Sequence, residues 1–239
     1  MELNTFLVLA LGVGLGFYVQ TLVGFAASIV AFPIMLQVIG IAEATALTSV
    51  FFFAFSAMLI WKNWQLIDKR TVLEMAVGSI FGLFLGIYLL KFADPTLLKK
   101  AFGVFVLLFA LYSLVRERKI KLFRGAGPVL GFLGGILSGL FSSGGSLFIL
   151  YIYSKISQPR VVRATIIGTL GITNFLRVPI LVYSGLLTYE IFLKALCLVP
   201  VLLLSLYLGQ KTLNRINESL LKKILLVVLV VSGVMLIVK

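Results

Sequence analysis

Apolar runs separated by short charged stretches fill the chain from end to end. They show neither the strict alternation of a half-buried strand nor the single apolar stripe of a helix lying on a soluble core. Ten apolar segments stand out, at roughly 5–19, 22–39, 44–61, 72–90, 97–115, 127–141, 145–154, 164–184, 190–208 and 220–238. A bilayer core of about 30 Å needs about 20 apolar residues per crossing helix. The pattern therefore predicts an all-α polytopic membrane protein. Segments one, two, six and seven are short, and each adjacent pair is joined by almost nothing polar. At about 1.5 Å per residue, a helix of about 15 residues covers only about 22 Å. Two such pieces joined by a turn suit a re-entrant or broken hairpin. The other six segments are long enough to cross.

The order short pair, long, long, long occurs twice. It sets out a first repeat at 1–115, a cytoplasmic basic linker at 116–126 and a second repeat at 127–239. Each half makes an odd number of crossings whether its hairpin counts as none or two, so the halves face opposite ways. Two inverted repeats are a recurrent transporter plan, with substrate near the midplane where helices break.

Charge orients the chain. With the N-terminus outside and each hairpin returning to its own side, the inner loops hold most basic residues. They are Lys62, Lys69, Arg70, Arg116, Arg118, Lys119, Lys121, Arg124, Lys155, Arg160, Arg163, Lys211, Arg215, Lys222 and Lys223. The outer side holds Lys91, Lys99, Lys100 and Lys239, and Lys194 falls near an outer helix start. This bias predicts both termini outside, and counting the hairpin arms as full crossings gives the same orientation. Trp61 and Trp64 flank the inner end of the third segment, where interfacial anchors belong.

Composition narrows the function. Hydrophobic residues make up 61% of the chain and charged ones 12%, against about half and about a quarter in a soluble domain. The net charge of +13 does not point to nucleic acid, because the basic groups sit between spans. Histidine is absent, which removes the commonest metal ligand and general base. With no paired carboxylates either, an enzyme is disfavoured and no cofactor is expected. Cys197, inside an apolar run, reads as a packing residue. The opening "MELNTFLVLALGVGLGF" lacks a basic n-region and reads as a retained first segment. No ATP-binding motif occurs, so transport would draw on an ion gradient or the substrate's own.

Two stretches carry chemistry. "LSGLFSSGGSLFIL" at 137–150 places Ser142, Ser143, Gly144, Gly145 and Ser146 in the middle of an apolar run. A turn there would start a helix at mid-depth, with free N–H groups and a positive dipole end able to attract a small anion. The matching place in the first half is "QTLVGFAASIVAFP", from Gln20 to Pro33, with Gly24, Ala26, Ala27 and Ser28. Close helix packing is the competing reading of such small residues.

The second stretch, "GTLGITNFLRVPILVY" at 168–183, holds Arg177 about seven residues, or about 10 Å, inside its helix end. An intramembrane Arg is a functional candidate by default, suited to bidentate capture of a sulfonate, sulfite or carboxylate. Snorkelling to the headgroups is the alternative. Thr169, Thr173 and Asn174 lie one or two turns away, and Pro179 is expected to kink the helix. In the first half Thr45, Thr48 and Ser49 offer hydroxyls, and Glu43 suits the helix start, a pair with Arg177 or a proton gate.

At both hairpins the sequence resembles the sulfite exporter TauE/SafE family. Its two related halves each open with a G-x-x-x-G-x-x-G-x-G-G-G stretch running into an apolar segment with proline, then a small-residue A-x-x-T-S helix. Here "GILSGLFSSGGSLFIL" keeps Gly135, Gly139, Gly144 and Gly145, with Ser142 and Ser146 where glycine is commoner and Tyr151 where proline is expected. The first half keeps Gln20, Gly24 and Pro33, with Ala26, Ala27 and Ser28 replacing glycines. "ATALTS" at 44–49 and "RATIIGT" at 163–169 fill the next slot. The resemblance implies a cell inner-membrane carrier of small sulfur-containing or organic anions, in either direction.

The sequence thus predicts a secondary transporter of sulfite, sulfoacetate or a related organosulfonate, working by alternating access. The anion would be bound near the midplane by hairpin amides, hydroxyls and Arg177. The candidate contacts are Gln20, Gly24, Ala26, Ser28, Thr48, Ser49, Ser142, Ser143, Gly144, Gly145, Ser146, Thr169, Asn174 and Arg177. An anion-selective channel and a carrier of a non-sulfur organic anion are the alternatives. The expected partners are the small anion and the bilayer; a homodimer stands on analogy alone.

Overall fold

The computed structural model describes residues 2–23, 27–115, 125–213 and 218–238. They form ten α-helices: α1 (Leu3–Val23), α2 (Ala27–Met35), α3 (Ile41–Asn63), α4 (Lys69–Phe92), α5 (Pro95–Val115), α6 (Ala126–Phe141), α7 (Gly145–Lys155), α8 (Pro159–Tyr183), α9 (Tyr189–Leu213) and α10 (Glu218–Val238). A short 3-10 turn, Trp64–Leu66, follows α3, and there is no strand among the described residues. Five of the helices, α1, α3, α4, α8 and α9, contain stretches long and apolar enough to cross a membrane. The linker residues 116–124 lie outside the described residues.

The first segment is longer than its apolar run suggests. α1 has 21 residues, about 31 Å at helical rise, and so is not a short arm. Gln20 and Thr21 end the apolar run but not the helix. Thr21 Oγ1 donates to the Phe17 carbonyl one turn back, at 2.9 Å, which satisfies its hydroxyl inside an apolar helix. α2, in contrast, is only nine residues long. The second pair matches expectation, with 16 residues in α6 and 11 in α7.

Helix starts follow local chemistry. Asp94 Oδ1 accepts from the amides of Thr96 and Leu97 at 2.8 and 2.9 Å, with Pro95 in the first helical position of α5. Asp68 does the same for α4, accepting from Arg70 and Thr71 at 3.1 and 3.3 Å.

The described helices fall into two compact units, each drawing on both halves of the chain. The first contains α1, α2, α5, α10 and all but the start of α9. In it α2 folds back on α1, with Gly16 against Ala27 and Gly12 against Ala31 and Met35. α1 runs parallel to α9, Gly14 meeting Val201 and Gly209 meeting Thr21. α5 and α10 touch through Gly103 and Gly233. Cys197 is exposed on α9, so it is not a packing residue. The buried positions Ile191, Ala195, Leu198 and Leu202 recur every three or four residues, and 197 falls between them.

The second unit contains most of α3 with α4, α6, α7 and α8. Its seam is α4 against α6, two parallel helices with glycine every four residues. Gly78, Gly82 and Gly86 face Pro128, Phe132 and Ile136, while Gly131, Gly135 and Gly139 face Met75, Ser79 and Leu83. Lipid does not drive apolar helices together, so association depends on close contact of this kind. The opposite face of α4, with Leu73, Val77, Phe81, Phe84 and Tyr88, is exposed and suits hydrocarbon. α7 returns along α6, Phe148 lying on Gly134 and Tyr151 on Gly127. Its last residue, Lys155, pairs with Glu74 near the start of α4. The α6–α7 hairpin therefore ends on the side where it began. Trp61 and Trp64 are exposed, as anchors should be, and Lys69 lies over the Trp64 ring at 5.1 Å.

Candidate functional site

The hairpin tip in the second unit is a tight reversal. Ser142 takes the left-handed conformation with φ 55°, the only non-glycine residue with positive φ among the described residues. Its amide closes α6 on the Ser138 carbonyl at 3.1 Å, and Ser143 bonds Leu137 at 3.2 Å. A left-handed serine costs about 1–2 kcal/mol, so its surroundings must hold it. They do: Ser142 Oγ is 3.2 Å from Thr48 Oγ1, and Thr45 Oγ1 donates to the Leu140 carbonyl at 2.8 Å. α7 then starts with no side-chain cap.

One face of α3, carrying Thr45, Thr48, Ser49, Phe52 and Ser56, borders this tip and α8. From α8 comes Arg177, 1% exposed. Its Nη1 donates to the Ser138 carbonyl at 3.0 Å, the same oxygen that accepts from Ser142. Its guanidinium carbon sits 5.6 Å from the centre of the Phe52 ring. Nε and Nη2 are buried without a hydrogen-bond partner. Burial at this level excludes snorkelling as the account of Arg177 in this structure. A cation beside the last carbonyls of α6 is favoured by the helix dipole, yet that contact uses only one of three nitrogens.

Helix register places the level. Arg177 is six residues from the end of α8, and Gly86, which lies against Ile136 and Gly139, is six from the end of α4. Both give about 9 Å. The group thus sits about midway between the middle of α4 and its C-terminal end.

Other sequence candidates resolve differently. Thr169 and Thr173 donate their hydroxyl protons back to α8 carbonyls at 2.9 and 3.0 Å. Asn174 Nδ2 donates to Ser56 Oγ at 2.7 Å. Ser143 Oγ and Ser146 Oγ donate to the Phe141 and Ser143 carbonyls at 3.0 and 2.9 Å, and Ser49 Oγ to that of Thr45. In these bonds the hydroxyls serve the fold. Gly144 serves packing too: a Cβ there would lie 2.0 Å from Ser138 Oγ and 2.2 Å from the Gly134 carbonyl. Gly145 is buried at the first position of α7. The arrangement brings together Thr48, Ser142 and Arg177.

The first hairpin belongs to the other unit. Gly24 and Ala26 lie outside the described residues. Gln20 Oε1 accepts from the Ala27 amide at 3.0 Å, so the start of α2 is capped, and Ser28 is buried. Glu43 pairs with Lys194 at 2.9 Å, not with Arg177.

Sequence reasoning missed Phe52 and Ser138, which position Arg177. It also missed the group around Glu74, where Oε2 accepts from Tyr151 at 2.5 Å and from Lys155. Arg70 completes that group at 3.4 Å from Oε1. The spacing of Tyr151 and Lys155 by four hinted at a shared face; their partner on α4 left no local trace.

The chain matches the family described as "Sulfite exporter TauE/SafE" over residues 8–236. It is 27% identical, over 205 residues, to the "Probable sulfite/organosulfonate exporter TauE" of Cupriavidus necator, covering 83% of this chain and 80% of that protein. It is 29% identical to a "Probable membrane transporter protein" of Methanocaldococcus jannaschii over 136 residues, 53% of this chain and 45% of that one. No solved structure matches.

Proposed function

The chain belongs to the sulfite exporter TauE/SafE family of membrane transporters, and from that premise we propose a secondary carrier of a small sulfur oxyanion, moved by alternating access. Sulfite, sulfoacetate and related organosulfonates are the substrate class. The charged head sits at the α6–α7 tip, against Arg177, Ser142, Thr48 and the uncapped start of α7. The observation that carries this reading is the pair of unpartnered nitrogens on a fully buried Arg177. An unpaired buried cation costs several kcal/mol, and each donor left unbonded adds about 1–3 kcal/mol. A bound oxyanion offsets both. The substrate class draws support from the name of the Cupriavidus necator relative.

The architecture of this reading is two inverted repeats. In its support, the opening helix of each hairpin packs parallel to the second long helix of the other half, α1 with α9 and α6 with α4. The return of α7 to the start of α4 supports a re-entrant hairpin. With the basic loops inside, the site lies toward the outer face of an inner membrane. Displacement of the tip from α3 and α8 then opens and closes it.

Proteoliposomes carrying the purified protein test this with labelled sulfite, sulfoacetate and acetate as a carboxylate control. Saturable flux of the sulfur anions, lost in Arg177→Ala, is expected. No saturable flux of any anion in either direction overturns the reading.

A further inference from the structure

We infer that the site takes one singly charged oxyanion head, held side-on by Nε and Nη2 of Arg177, and rejects a head of similar size that itself carries two charges. This rests on the reading of Arg177 as the substrate's seat.

The fork comes from which nitrogens are engaged. Nη1 is bonded to the Ser138 carbonyl, while Nε and Nη2 have no partner. In a planar guanidinium the Nε–H and the nearer Nη2–H point the same way along one edge, spaced to meet two oxygens of one group. What remains is therefore a single two-pronged donor. The Phe52 ring and the Ser138 carbonyl flank it, at 5.6 Å from its carbon and 3.0 Å from Nη1. Lysine at this place would keep the charge and lose the geometry.

The charge limit comes from the neighbours. Arg177 is faced by Ser138 from α6 and Phe52 from α3, neither of which titrates. Among the described residues no carboxylate bonds it. The start of α7 adds about half a positive charge at most, and the last carbonyls of α6 subtract a similar amount. A monoanion neutralises such a site. A head that carries two charges itself leaves a net negative charge in a buried place, and the cost of moving an ion out of water grows as the square of its charge. Bisulfite and sulfonates therefore fit, whereas the sulfite dianion and sulfate do not.

The test varies the substrate, so folding of a variant does not enter. Labelled sulfite flux into proteoliposomes is measured from mildly acid to mildly alkaline pH, with unlabelled methanesulfonate or sulfate at matched ionic strength. Labelled methanesulfonate serves as the fixed-charge control. Methanesulfonate should compete at least about tenfold better than sulfate. Sulfite flux should fall as pH rises and bisulfite gives way to the dianion, while methanesulfonate flux stays level. Sulfate competing as well as methanesulfonate, or sulfite flux rising with pH, overturns the inference and leaves the carrier standing. Absence of saturable flux for every anion overturns the carrier itself, and the inference with it.

Discussion

Replacing Gly82 with alanine tests whether the glycine seam holds the α6–α7 hairpin in place. The new Cβ would lie 2.0 Å from the Phe132 carbonyl oxygen, 2.8 Å from its carbon and 2.9 Å from the Ile136 amide nitrogen. Ordinary contact begins at 3.4 Å, so α4 and α6 must separate by about 1.4 Å at this level. All three atoms are backbone, and no side chain can swing aside. Overpacking costs about 1–3 kcal/mol, and opening the seam also loosens Gly78 and Gly86. A loss near 3 kcal/mol is expected, against the gain of about 0.5–1 kcal/mol that alanine brings to an unconstrained helix. Separation also shifts Ser138, and with it the carbonyl that holds Arg177. The assay is the melting temperature of the purified protein in detergent, alongside flux in proteoliposomes. Gly40→Ala is the control, since nothing lies within 4 Å of its Cβ. A drop of several degrees with loss of flux is predicted for Gly82→Ala, and little change for the control. If Gly82→Ala melts at or above the wild-type temperature, the seam is not what fixes the hairpin.

Arg177→Lys keeps the charge but loses the fork, so half-saturating sulfite should rise at least about tenfold with the melting temperature nearly unchanged; unchanged flux kinetics would contradict this. Gln20→Ala removes the cap on α2 and should lower stability by about 1 kcal/mol in chemical unfolding. Glu74→Gln leaves Lys155 without its ion pair, but the carboxylate is partly exposed, so the loss should stay below about 1 kcal/mol. The Leu97 and Thr96 amides hold the Asp94 carboxyl below its usual range, so its cap on α5 is intact at neutral pH. It is lost as pH falls through that lowered value. Hydrogen exchange at Thr96 and Leu97 should speed up there, and Asp94→Asn should abolish the acid dependence.

The spans in α3, α4, α8 and α9 were legible because each long apolar run must satisfy its backbone internally, and only a helix does so in lipid. The reversal at Ser142–Gly144 was legible from poor helix formers in an apolar run. Arg177 stood out in the sequence because a charge inside an apolar helix is costly, and the structure buries it. The true length of α1 was hidden by Gln20 and Thr21, whose polarity is met by local bonds that an apolar pattern does not reveal. The fate of the hydroxyls was hidden for the same reason. Thr169, Ser143 and Ser146 looked like donors to a ligand but donate to nearby carbonyls. Gly135, Gly139 and Gly144 face backbone and side chain at near-contact distance, so their role is packing first. Phe52 and Ser138 are ordinary letters in an apolar helix, and only folding brings them to the guanidinium.

A cryo-EM map of the full chain with bound methanesulfonate tests the central claim most directly. The account predicts density for the sulfonate head with two oxygens on Nε and Nη2 of Arg177, next to Ser142 and Thr48. A sulfonate seated elsewhere, with those two nitrogens bonded to the protein's own groups, would contradict it.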